Sequence, residues 1–180
     1  MDFTISQNTL IILSIIFVVL LILVTLRHNL ITLEEKVFDN QPFFDKYLKK
    51  RQNMLPLLLQ TIKEYTNKDN KEIKKVVKMR SKAMLTKGFG NNRAHAENDL
   101  SKELNSLLHL TEKDGGINKD IDYMEFKNEL TEIIENLEKK ATAYNEDIKH
   151  FNSFRAKFWV VLFAKLFAFK KKELFPIKFS

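Results

Sequence analysis

Apolar residues fall into two regimes along this chain, and the change from one to the other predicts most of its elements. Leu10–Leu26 reads LIILSIIFVVLLILVTL, seventeen residues without a charge. Only Ser14 and Thr25 are polar, and a helix lets both hydroxyls bond back to its own carbonyls. At ~1.5 Å per residue the run is about 26 Å long. That approaches the ~30 Å hydrocarbon layer of a bilayer, and Arg27 can snorkel to the far interface. A soluble helix is seldom apolar on every face. A cleaved signal peptide is disfavoured too: Asp2 but no Lys or Arg precedes the run, and no small-x-small site follows it. The pattern predicts a single-pass membrane anchor over residues 1–27.

From Leu26 onward the apolar positions recur at heptad-like steps, with charges between them: Leu26, Leu30, Leu33, Val37, then Phe44, Leu48, Leu55. This predicts an amphipathic helix leaving the membrane. Pro42 and Pro56 interrupt it, and Asn53 can N-cap a new helix with Pro56 in its first turn. The stripe resumes at Leu58, Ile62, Tyr65, Ile73, Val76, Arg80, Ala83 and Met84 with its phase nearly unbroken. One long kinked helix and two antiparallel helices both satisfy that pattern. Gly88-Phe89-Gly90-Asn91-Asn92 ends the segment. A third helix is predicted from about Arg93 to Leu110, with Leu100, Leu104, Leu107 and Leu108 on one side. After a loop at Glu112-Lys113-Asp114-Gly115-Gly116, Asn118 is the expected cap of a fourth helix. Its stripe is Ile121, Met124, Leu130, Ile133, Ile134, Leu137, Ala141, Tyr144, Ile148 and Phe151. Helices with stripes one face wide must bury them against each other, so residues 28–153 are expected to form a helical bundle.

The tail from Phe154 departs from this pattern. It holds seven of the fifteen phenylalanines and the only tryptophan. On a helical wheel Val160, Phe163, Phe167, Trp159, Leu166, Leu162, Phe169 and Phe158 cover more than half the circumference, with Lys157 and Lys165 in the remainder. Such a helix either packs on the bundle or lies in the membrane interface. In the second case Trp159 sits at the boundary and Lys170-Lys171-Lys172 faces anionic head groups. Residues 154–180 are therefore read as a basic aromatic tail. Arg27, Trp159, Phe163, Phe167, Lys170, Lys171 and Lys172 are the candidate membrane-interface residues.

Composition sharpens this picture. Four glycines and three prolines in 180 residues suit long helices rather than a sandwich or barrel. The absence of cysteine excludes disulfides and thiol catalysis. The net charge of +7 is uneven: residues 153–180 hold seven Lys/Arg and one Glu, so the preceding part of the chain is almost neutral. No basic residue precedes the apolar run, whereas Arg27, Lys36, Lys46, Lys49, Lys50 and Arg51 follow it. The positive-inside rule then places the N-terminal side outside and the helical domain in the cytoplasm.

A search for chemistry finds no catalytic, cofactor-binding or metal-binding constellation. His95 and His109 are about four turns apart, and His28 lies at the membrane edge. Asp147-x-x-His150 puts a carboxylate and an imidazole on one face, but a di-iron bundle needs a second such motif and two more glutamates. HExxH, GxSxG and the P-loop are absent, and the glycines at 88 and 90 lack a preceding strand and a third glycine. The tail's aromatics lie among Val, Leu and Ala, which single-stranded nucleic acid does not require. Anionic lipid is the better match, and nothing points to nucleic acid or a small-molecule substrate.

Asn29 to Tyr65, NLITLEEKVFDNQPFFDKYLKKRQNMLPLLLQTIKEY, resembles the LemA family without gaps. The matching positions are Leu30, Leu33, Val37, Asp45, Leu48, Lys49-Lys50-Arg51, Leu55-Pro56, Leu58, Thr61, Lys63 and Tyr65. Glu135-Asn136, Tyr144-Asn145, Phe151-Asn152, Phe167-Ala168-Phe169-Lys170 and Leu174-Phe175 match towards the other end. Pro42 departs from a stretch the family keeps helical, and Ala168 stands where a glycine is usual. The resemblance implies a bacterial inner-membrane protein with an all-α architecture: a transmembrane helix, an antiparallel four-helix bundle and the tail. It favours a chain break near residues 50–56, and it carries over no catalytic residue. The expected function is a non-catalytic scaffold or self-assembling module whose partners are the lipid bilayer and another protein or a second copy. The alternative is an adaptor subunit of a membrane enzyme or transport complex. Lys49-Lys50-Arg51 and Tyr144-Asn145 are read as bundle structure in preference to a binding surface.

Overall fold

The computed structural model describes residues 6–65, 71–113 and 116–178. Three sequence expectations fall outside them: the charge count at Asp2, the passage of the second stripe across 66–70, and the Asp114-Gly115 part of the predicted loop. Among the described residues there are five α-helices and no strand: α1 (Gln7–Tyr65), α2 (Lys71–Leu85), α3 (Asn91–Thr111), α4 (Ile121–Arg155) and α5 (Phe158–Leu166). A 3-10 turn, Ile117–Lys119, precedes α4.

The chain does not break at 50–56. α1 is continuous through Pro42 and Pro56, and Asn53 is one of its interior residues, not a cap. Proline lacks the N–H that would serve the carbonyl four residues earlier. At Pro56 that carbonyl belongs to Gln52, and the Arg80 guanidinium Nε of α2 donates to it at 2.6 Å. A tertiary donor thus replaces the missing helical one, and the helix continues. Asn118 does not cap α4. Its side chain donates to the Glu112 carbonyl, and Asp120 accepts from the Tyr123 N–H at 2.8 Å in the usual N-cap manner.

Two compact units result. One joins Met1–Val37 to Asp147–Lys172, and the other joins Phe38–Glu146 to Glu173–Ser180. In the second unit the stripes are realised as a core of Phe44, Leu48, Leu55, Leu58 and Ile62 from α1 with Leu100, Leu104, Leu130, Ile133 and Leu137 from α3 and α4. α2 packs on α3 and buries Ile73, Val76 and Ala83. The α4 stripe holds from Leu130 onward but not at its start, where Ile121 is 81 % exposed, Met124 is exposed, and Tyr123 is buried instead. The Tyr123 hydroxyl bonds to Thr111 at 2.7 Å, which makes the buried phenol tolerable.

In the first unit Leu30 and Val37 of α1, Ile148 and Phe151 of α4, and Val160 and Ala164 of α5 are buried. The tail is helical only as far as Leu166, short of the span expected from its wheel. Ala168 takes a left-handed φ of 58°. The Phe169 N–H bonds back to Ala164 and the Ala168 N–H to Lys165. This is a Schellman stop, whose left-handed position suits glycine best. Residues 169–178 form no helix or strand.

Candidate functional site

Two apolar surfaces and one buried cluster are candidates. The cluster lies in the second unit, between α1 and α3. Arg51 falls in step with the apolar stripe of α1, and Glu97 and Ser101 fall in step with Ala94 and Leu104 on α3. All three polar residues are buried. Arg51 donates to Ser101 Oγ at 2.7 Å and to Glu97 Oε2 at 2.6 Å. Gln52 Nε2 donates to Glu97 Oε1 at 2.6 Å. Ser101 Oγ in turn donates to the Glu97 carbonyl, one turn back. Arg93 links this cluster to Asp45, which also pairs with Lys49. Burial lowers the Arg51 pKa and Glu97 opposes that shift. Burial pushes the Asp45 carboxyl up, but Lys49 and Arg93 outweigh it and leave it below its ordinary value. The cluster's chemistry is that of a register lock between two helices. The Lys49-Lys50-Arg51 run is divided by it: Lys49 and Lys50 are exposed, the latter paired with Glu129 of α4, while Arg51 is core.

Extended tail backbone is held by asparagines in both units. In the second, Asn145 donates to the Phe175 carbonyl and accepts from the Phe175 N–H, at 2.9 and 2.8 Å. Asn98 does the same for Pro176 and Lys178. The buried Phe175 ring sits edge-on to Phe44 and beside Phe89, which in turn meets Tyr144. Tyr144 is held up at about 12 by burial in that cluster. In the first unit, Asn152 holds the N–H and carbonyl of Lys172, and Arg155 donates to the Phe169 carbonyl. Asparagine is suited to this because its amide reproduces a peptide's donor and acceptor.

The surfaces are apolar. Every residue from Gln7 to Thr25 is exposed, in a helix long and apolar enough to cross a membrane. Ser14 and Thr25 bond to the Leu10 and Leu21 carbonyls, at 2.9 and 2.8 Å. On α5, Phe158 is 88 % exposed, Leu162 76 % and Trp159 67 %, with Leu166 exposed beside them. The candidate interface residues divide accordingly. Arg27, Trp159, Phe167, Lys170 and Lys171 are exposed. Phe163 is only 7 % exposed, with its ring stacked on Phe167, so it belongs to the core. Lys172 pairs with Glu34 and lies over the Phe151 ring, so it is not a free interfacial charge. The wheel missed this because it assigned Phe163 to the same broad arc as Trp159. The α5 faces diverge within that arc. Among the described residues no three His, Asp or Glu side chains come together as a metal site; His28, His95, His109 and His150 are each exposed.

Comparison with known proteins gives one family. The sequence profile of the LemA family matches residues 44–180. No curated protein matches the chain.

Proposed function

The chain belongs to the LemA family, and from that premise we propose that it is a non-catalytic, membrane-anchored scaffold of a bacterial inner membrane. α1 crosses the bilayer through residues 10–26, the N-terminal side faces outward, and the helical domain, an antiparallel four-helix bundle, lies in the cytoplasm. The observation that carries the reading is the first unit's apolar exposure. It combines a spanning segment with no buried residue and an α5 whose Phe158, Trp159, Leu162 and Leu166 face outward while Val160 and Ala164 face in. Soluble proteins rarely expose so much contiguous apolar surface. The basic residues after Arg27 support the orientation. Pairing of Phe44 with Tyr144, Lys50 with Glu129 and Tyr65 with Asp120 supports antiparallel α1 and α4.

The full chain, extracted in mild detergent after in-cell crosslinking, is expected as homo-oligomers with bound lipid. Recovery instead with one foreign protein at fixed stoichiometry overturns the scaffold and establishes the adaptor reading. Proteolysis of inside-out vesicles is expected to digest the helical domain, and its protection there overturns the orientation.

A further inference from the structure

The second unit carries two surfaces of opposite charge. α2 holds six basic residues and one acidic, Glu72. From Ile121 to Glu138, α4 holds six carboxylates and one basic residue, Lys127. Lys75 and Lys82 of α2 pair with Glu103 and Asp99 of α3. On α4, Glu129 pairs with Lys50 and Lys127 with Glu112.

Lys71 and Lys78 are exposed on α2, and Glu125 and Glu132 line the exposed α4 face. Each pair is seven residues apart, which on a helix means one azimuth and a spacing of about 10.5 Å. The spacings match, so two helices side by side can bring both lysines opposite both glutamates. Apolar groups accompany the charges. On α4 a shallow groove of about 560 Å³ is lined by Ile121, Met124, Glu125 and Glu132. Ile121 and Met124 are the two stripe residues of α4 that find no core.

We infer that the α2 face of one copy docks in the α4 groove of a second copy. The inference rests on the self-assembling reading above and names its surface. The contact joins two different faces, and where those two faces of a copy engage different neighbours it is heterologous and propagates into a row or ring. Anchoring every copy in one bilayer raises the effective concentration at which weak, screened charge pairs operate.

The test uses the full chain in vesicles, with energy transfer between donor- and acceptor-labelled copies. Lys71→Glu/Lys78→Glu alone and Glu125→Lys/Glu132→Lys alone are each expected to weaken association at least tenfold, with melting unchanged because all four sites are exposed. An equal mixture of the two variants restores complementary faces and is expected to associate like the original chain, and raising salt weakens both. Association of wild type that neither variant alters, or a loss that mixing does not rescue, overturns this docking while leaving a scaffold intact. A wild-type chain that stays monomeric at every surface density overturns both.

Discussion

Ala168 holds a backbone conformation that costs an L-residue about 1–2 kcal/mol. The Schellman bonds from Phe169 and Ala168 fix it there. Replacing Ala168 with Gly relieves that cost but gives the unfolded chain more freedom, and the balance favours the variant by about 0.5–1 kcal/mol. A raised thermal midpoint for the full chain in detergent checks it. At Arg51 and Glu97 the sign is opposite. Removing one partner strands a buried charge, so Arg51→Met is expected to cost about 3–5 kcal/mol, and Arg51→Met with Glu97→Leu to recover much of that loss. Asp45 adds a pH dependence. Its folded pKa lies below the unfolded value, so its contribution is present above the ordinary carboxylate range and is lost as pH falls through the folded pKa. Asp45→Asn should flatten the stability profile below about pH 4. Both buried polar residues were visible in principle, since 44, 48, 51, 55 and 94, 97, 101, 104 are unbroken stripes. A charge on an apolar stripe signals a partner, but the sequence alone does not say which one.

At the scale of the element, α1 is the informative case. Its stripe runs in phase across Pro56, and that phase was the better guide; the two prolines and the family resemblance favoured a break. The break failed because the carbonyl that Pro56 strands is served by Arg80, a residue twenty-eight positions on. No local pattern predicts such a donor. A double-mutant cycle tests this account. Arg80→Met is expected to cost about 1.5–3 kcal/mol, the worth of a hydrogen bond from a charged donor. In a Pro56→Ala background the restored backbone N–H takes the Gln52 carbonyl, and the same Arg80 substitution should cost much less. Equal costs in the two backgrounds would mean that Arg80 acts only through packing. The tail had the same limitation. A wheel treats residues 158–169 as one helix, whereas the left-handed residue at 168 and the asparagine clamps draw the following chain out into extended backbone. Asn145 and Asn152 were noticed as matching positions, and their role emerged only once the backbone they hold was in place.

For the whole molecule the question is what covers α5. Trp159 is the only tryptophan, so its fluorescence reports this helix alone even though α1 anchors every copy. With the full chain in anionic vesicles, α5 at the interface predicts blue-shifted emission quenched by lipids brominated near the head groups. Leu162→Ala/Leu166→Ala keeps the reporter, leaves Val160, Phe163 and Ala164 packed, and should shift the emission towards red with little change in melting. Phe163→Ala should do the reverse, costing about 3 kcal/mol by emptying core volume. Lys170→Glu/Lys171→Glu should weaken quenching in anionic vesicles but not in neutral ones, because those two lysines are exposed while Lys172 is committed to Glu34. Red emission that brominated lipid leaves unquenched would put Trp159 in water or against protein. The exposed apolar face of α5 would then lie off the bilayer, and the membrane would hold this chain through α1 alone.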